Sequence, residues 1–172
     1  MKLELKHLAG YLPYGLKIQL LKREVFTKRI CAGSTDKGIL RIGDDGHHRW
    51  EESFDNIKPI LRPLSDLTKE IEVNKEKFVP MIELAGIGSC SPKNRWSIDE
   101  RNLKVKHESG GEFYFTSDKS FIYKESDKWK DFGVACNQFD LFQKLYEWHI
   151  DFNGLIEKGL AISIHDVEEA GI

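Results

Sequence analysis

Residues 137–150, NQFDLFQKLYEWHI, carry the pattern on which the fold turns. Phe139, Leu141, Phe142, Leu145, Tyr146 and Trp148 fall within a little over two turns, and at helical spacing they form a wide apolar stripe. Asn137 stands where a helix cap belongs, with Asp140 three positions on, so the segment predicts an amphipathic helix over 138–150. Burying each large side chain of such a stripe is worth roughly 1.5–3 kcal/mol, so the helix must lie against an apolar surface. A sheet face is the expected partner, which would put this helix at the centre of the core.

The strands to make that sheet are legible on both sides of the middle of the chain. Leu16, Ile18 and Leu20 alternate in GLKIQLL, and REVFTKRICAG follows as a β-branched run, which together predict a hairpin over 15–32. STDKG reads as a turn, ILRIG as a third strand, and DDG at 44–46 as another turn. In the second half, LKVKHE, EFYFTS and FIYKE are separated by SGG and DKS, the pattern of a three-stranded meander. The expected class is α+β: antiparallel meanders packed on the C-terminal amphipathic helix, with short helices at 3–9, 66–72 and 75–85. Ser65 is read as the cap of the second of these and Asn74 of the third, in which Pro80 would force a kink. IKPILRP, with two prolines, reads as an edge strand if extended. A single domain over 1–172 is expected, and the Gly-, Ser- and Pro-rich GIGSCSPKNRWS at 86–97 is the candidate internal boundary.

Composition bounds the function. An apolar fraction of 40% and a charged fraction of 31% describe a chain that can fill a core, not a disordered one. No run approaches the roughly 18 apolar residues of a membrane span. The N-terminal stretch has Glu4, Lys6 and His7 where a secretory leader needs uninterrupted apolar sequence. Cys31, Cys90 and Cys136 are odd in number, widely spaced and without a CxxC, as expected of small buried residues in a reducing compartment. The expectation is a cytoplasmic protein with no membrane association.

Net charge is −2, but it is unevenly spread. Residues 1–31 hold seven basic and two acidic residues, and residues 151–172 hold five acidic and one basic. Lys17, Lys22, Arg23, Lys28 and Arg29 gather around one predicted turn, with Tyr11, Tyr14 and Phe26 near in sequence. Cations interleaved with aromatics can grip a phosphate backbone, or a protein partner, so these five are the candidate contact residues. Lysines on a hairpin also block unwanted sheet pairing.

His149 and Asp151 are the candidate metal or catalytic pair. Residues two apart on a helix point about 200° from each other, so a helix through both separates them. The expectation is a largely buried imidazole with a hydrogen-bonded partner, and an Asp151 that caps the following turn, FNGLIEKG. If the chain is extended at 149 the two share a face and a metal re-enters. Asp44-Asp45 and His47-His48 read as a polar turn, and Glu51-Glu52 and Glu168-Glu169 as solvated charge. The chain has no P-loop, dinucleotide, zincin or nucleophile-elbow motif. No catalytic, cofactor or metal residue is therefore assigned.

Two stretches, IKPILRPLSDLTKEI (57–71) and LYEWHIDFNGLIEKGLAI (145–162), resemble segments of small uncharacterised proteins encoded by Bacteroidota genomes, their prophages and phages. The stretch LAGYLPYGLK (8–17) is similar too. The resemblance implies a mobile-element accessory protein in a bacterial cytoplasm and brings no activity, cofactor or catalytic residue. The leading expectation is a non-enzymatic protein that binds another protein. The alternatives are a nucleic-acid binder using the basic hairpin and a small metal-dependent hydrolase centred on His149 and Asp151.

Overall fold

A computed structural model describes residues 1–21, 29–35, 39–43, 49–89, 92–99, 102–125, 132–135 and 137–169. In chain order the elements are α1 (Leu5–Leu8), β1 (Lys17–Leu20), β2 (Arg29–Thr35), β3 (Ile39–Gly43), β4 (Arg49–Ser53) and β5 (Ile57–Leu61). They continue as β6 (Ile71–Val73), β7 (Glu76–Phe78), α2 (Pro80–Ser89), β8 (Trp96–Asp99), β9 (Lys104–His107) and β10 (Glu112–Phe115). The last are β11 (Phe121–Lys124), β12 (Phe132–Val134), α3 (Gln138–Glu147), β13 (Ile162–Ser163) and α4 (Ile164–Glu169). Helices and mainly antiparallel sheets in one chain make the fold α+β. Two compact units result: Met1–Pro63 with Tyr146–Ile172, and Leu64–Leu145. Among the described residues no helix is long and apolar enough to cross a membrane.

The first unit is built on a six-stranded sheet in the order β13-β5-β1-β2-β3-β4. The alternation read in GLKIQLL fixes its inner face: Leu16, Ile18 and Leu20 are buried while Lys17 is exposed. The expected hairpin forms, with Lys17 opposite Ile30 and Ile18 opposite Arg29, and β2 runs on to Thr35, through the first two residues of the STDKG read as a turn. IKPILRP is extended, but it is not an edge. β5 lies between β1 and β13, antiparallel to the first and parallel to the second. The proline is tolerated because β13 pairs only with Ile60 and Leu61, so the ladder on that side ends before Pro59.

The second unit holds a five-stranded meander, β12-β11-β10-β9-β8, two strands wider than the expected three. Val105, Phe113, Phe115 and Phe121 are buried on one face. The opposite face carries Lys104, Lys106 and Glu112, with Lys104 3.1 Å and Lys106 3.8 Å from the Glu112 carboxylate. α2 packs against β8–β11, a cover the expectation did not include: Met81, Leu84 and Ala85 are buried, and Gly88 lets the Phe113 ring approach so closely that a Cβ would sit 2.5 Å from it.

Two helix expectations and one loop expectation are corrected here. Residues 64–68 form a 3-10 turn, and Ile71 belongs to a strand. Asn74 does not cap a helix. Asn74 and Lys75 have φ of 53° and 70°, the left-handed pair that closes a tight hairpin between β6 and β7. That hairpin takes the residues assigned to the first part of the predicted 75–85 helix, and Pro80 opens α2, where its missing N–H needs no partner. Gly86–Ser89, read as loop, are the last residues of α2, and Trp96 begins β8.

α3 is shorter and narrower than its stripe suggested. It ends at Glu147 rather than 150. Leu141 and Leu145 are fully buried, but Phe139 is 79% exposed. Phe139 and Leu141 are two positions apart, about 200° around the helix, so the two cannot face one surface. The first turn is anchored by Gln138, whose amide accepts from Phe121 N–H (3.0 Å) and donates to Phe121 C=O (2.8 Å) and Ala135 C=O (3.0 Å). Phe142 completes the contact, edge-on to Phe121 at 5.6 Å.

Candidate functional site

The residues that opened the chemical question lie just past α3, in the first unit. His149 has φ of 56°, a left-handed conformation that ends the helix as glycine usually does. The reversal sets Ile150 parallel to Arg62: Arg62 N–H donates to His149 C=O, and Asp151 N–H donates to Arg62 C=O, both at 2.8 Å. Asp151 is 3% exposed, and its two carboxylate oxygens accept from the N–H groups of Leu155 (2.9 Å) and Ile156 (2.7 Å). It caps the turn that follows, as the sequence suggested.

Aromatic packing holds this junction. The fully buried Tyr11 donates its hydroxyl to Ile150 C=O at 2.8 Å. Its ring stands edge-on to Tyr146 at 4.8 Å, and Tyr146 meets Phe152 at 5.0 Å. Gly10 is required beside them, since a Cβ there would fall 2.2 Å from the Tyr146 ring. Burial, then the nearby Asp151 charge, pushes the Tyr11 phenol well above its ordinary range, so it remains a donor. The stretches 8–17, 57–63 and 145–162 are thus joined in one place by β5, β13, the Arg62–Ile150 bridge and Tyr11.

His149 is partly buried and differs from expectation in its partners. One ring nitrogen has a hydrogen bond with the Tyr14 backbone, while Nε2 is buried with no hydrogen-bond partner. The charges that act on the ring are those of Arg62 and Lys17, both positive. Burial, followed by those two cations, lowers its pKa to about 4, against the opposing pull of the Tyr14 bond. At neutral pH the imidazole is uncharged among cations, an environment opposite to that of a metal ligand backed by carboxylates. Among the described residues no group of three or more His, Cys, Asp or Glu side chains is placed to hold a metal ion.

Of the five candidate contact residues, Lys17 is exposed on β1, and Arg29 opens β2. Lys22, Arg23 and Lys28 lie outside the described residues, as do the 44–48 turn, Cys90 and Cys136; Cys31 is in β2. The residue that sequence reading passed over is Arg62, which the fold brings to Lys17 and His149 through pairings distant in sequence. Its only sequence signal is a basic residue closing an apolar strand. Glu51 pairs with Arg41 at 3.5 Å and Glu52 accepts from the Asn56 amide at 3.0 Å, so neither is an acid–base group awaiting a substrate. Comparisons with protein-family models, with curated proteins and with solved structures gave no match.

Proposed function

We propose that the chain is a non-enzymatic accessory protein of a mobile element or phage, acting by binding another protein in the cytoplasm of a bacterial host. Phe139 carries the reading. A phenylalanine 79% exposed on an ordered helix forgoes roughly 1.5–3 kcal/mol of burial that a partner's pocket would recover. Its neighbour Gln138 holds the helix in place, so the ring is presented rather than frayed. The hydrolase reading loses support where the geometry is defined. Both Asp151 oxygens are taken by backbone amides, and the positive charges of Arg62 and Lys17 oppose a charged His149.

The test is affinity capture with the full chain, with and without nuclease, comparing wild type with Phe139→Asp. A protein retained after nuclease treatment and lost with the variant is the expected result. Capture that disappears with nuclease and falls steeply with salt would transfer the function to nucleic acid, the reading that exposed Lys17 favours.

A further inference from the structure

We propose that the outer face of the six-stranded sheet is a contact surface for the phosphodiester backbone of a nucleic acid, held by Lys17, Lys58 and Arg41. This face belongs to a different unit from Phe139 and does not depend on the protein-binding reading. Strand register places the three cations. Lys17 is exposed and Ile18 fully buried, so β1 turns Lys17 and Gln19 outward. Gln19 lies opposite Lys58 on β5, which puts Lys58 on the same face, diagonal to Lys17 at about 7–8 Å. On β3, Arg41 is exposed between the fully buried Leu40 and Ile42. Lys17 pairs with Ile30, and Ile30 with Gly43, two positions from Arg41, so Arg41 shares the face of Lys17. β5 and β3 are three strand spacings apart, so the cations reach across about 14 Å.

The make-up of the face selects the partner. Among the described residues Lys17 and Lys58 have no carboxylate within ion-pair distance. Arg41 meets one, Glu51, at 3.5 Å, and both side chains are more than half exposed. Exposed pairs of this kind are weak, so a phosphate can take the place of Glu51. Gly33 stands opposite Arg41 and adds no side chain beside it, as befits a place where another backbone approaches. A protein interface needs an apolar or aromatic centre. None of the exposed large apolar side chains lies in these strands; the nearest in sequence, Leu21, comes just after β1. Nucleic-acid interfaces are more polar and more positive, as this face is. One strand of a duplex carries a phosphate every ~3.4 Å of axis, so the cations span about four of them. Cations that meet only phosphates read no bases, so binding is independent of sequence.

The experiment is fluorescence anisotropy of the full chain with a labelled mixed-sequence duplex of about 20 base pairs, and with one of its strands, in about 25–200 mM NaCl. Three phosphate contacts predict a log–log salt slope of about −2.7 for the duplex and about −2 for the single strand. Lys17→Gln, Lys58→Gln and Arg41→Gln should each make the duplex slope shallower by about 0.9 and weaken binding several-fold at the lowest salt. Lys58 is half-buried, so Lys58→Arg, which keeps the charge, should keep the slope and separates lost charge from lost packing. Lys77→Gln, which removes an exposed lysine of β7 in the other unit, and Phe139→Asp should bind as wild type does. No binding to either oligonucleotide, a slope that the three variants leave unchanged, or equal weakening by Lys77→Gln overturns the proposal. Displacement of the duplex by poly-glutamate as readily as by unlabelled duplex would assign the face to an acidic protein segment, and overturns it too. Loss of protein capture with Phe139→Asp bears on the other reading alone.

Discussion

His149 carries two separate tensions, in its backbone and in its ring. The left-handed φ is tolerated best by Gly and Asn, so His149→Asn preserves the turn and removes the titrating group. The unfolded imidazole titrates near 6.5 and the folded one at about 4, so unfolding takes up a proton between these values. The stabilisation is therefore complete above pH 6.5 and is lost as pH falls from 6.5 towards 4. On the order of 2 kcal/mol is expected after allowing for partial exposure. Urea unfolding in phosphate-free buffer should show wild type losing stability over that window relative to His149→Asn; parallel pH profiles would refute it. Asp151 is the second sensitive position. Asp151→Ala leaves the buried Leu155 amide and the part-buried Ile156 amide unsatisfied and should cost about 2–4 kcal/mol, whereas Asp151→Asn, which keeps one acceptor, should cost less. Equal midpoints for the two variants would show that the cap contributes little.

Among the elements, the β6–β7 hairpin and α2 show where local patterns yield to turn geometry and close packing. Lys75 sits at φ 70° without steric need for a side chain there, so Lys75→Gly should stabilise by about 0.5–1 kcal/mol. A lower thermal midpoint for that variant would contradict the hairpin turn. Gly88→Ala should destabilise by about 1–3 kcal/mol, because the added methyl group meets the Phe113 ring at 2.5 Å. These residues also explain the misread helices. Asn74 fits a helix cap and a left-handed turn equally well by residue type, and only the strands on either side decide between them. GIGS reads as loop because glycine is a weak helix former. One of its glycines is instead the site of a close ring approach, and close approach leaves no local trace in sequence.

For the whole molecule, the contiguous stretch Leu64–Leu145 is a compact unit with its own five-stranded sheet and covering helix. It is long enough to bury a core by itself. Expressed alone it should unfold cooperatively and show the dispersed amide spectrum of a sheet; a spectrum without dispersion would show that it needs the rest of the chain. The other unit is closed by parallel pairing of β5 with β13, residues about a hundred positions apart, so removal of β13 and everything after it should disrupt that unit. Phe139→Ala is expected to change stability by no more than about 0.5 kcal/mol while abolishing partner capture. A large loss of stability would place the ring in the core after all.

The sequence by itself determined the α+β class, the strand alternation of Leu16, Ile18 and Leu20, the helix after Asn137 and the capping role of Asp151, because periodicity and capping act within a few residues. It did not determine that α2 also covers the meander, or that Phe139 faces solvent, because both depend on which surface lies opposite. The site was half visible. Lys17 and His149 drew notice as a cation and an imidazole, but Arg62 did not. Their meeting is made by β1–β5 pairing and by one parallel bridge across more than eighty residues of chain, and hydrogen bonds between distant backbones leave no pattern in the residues that make them.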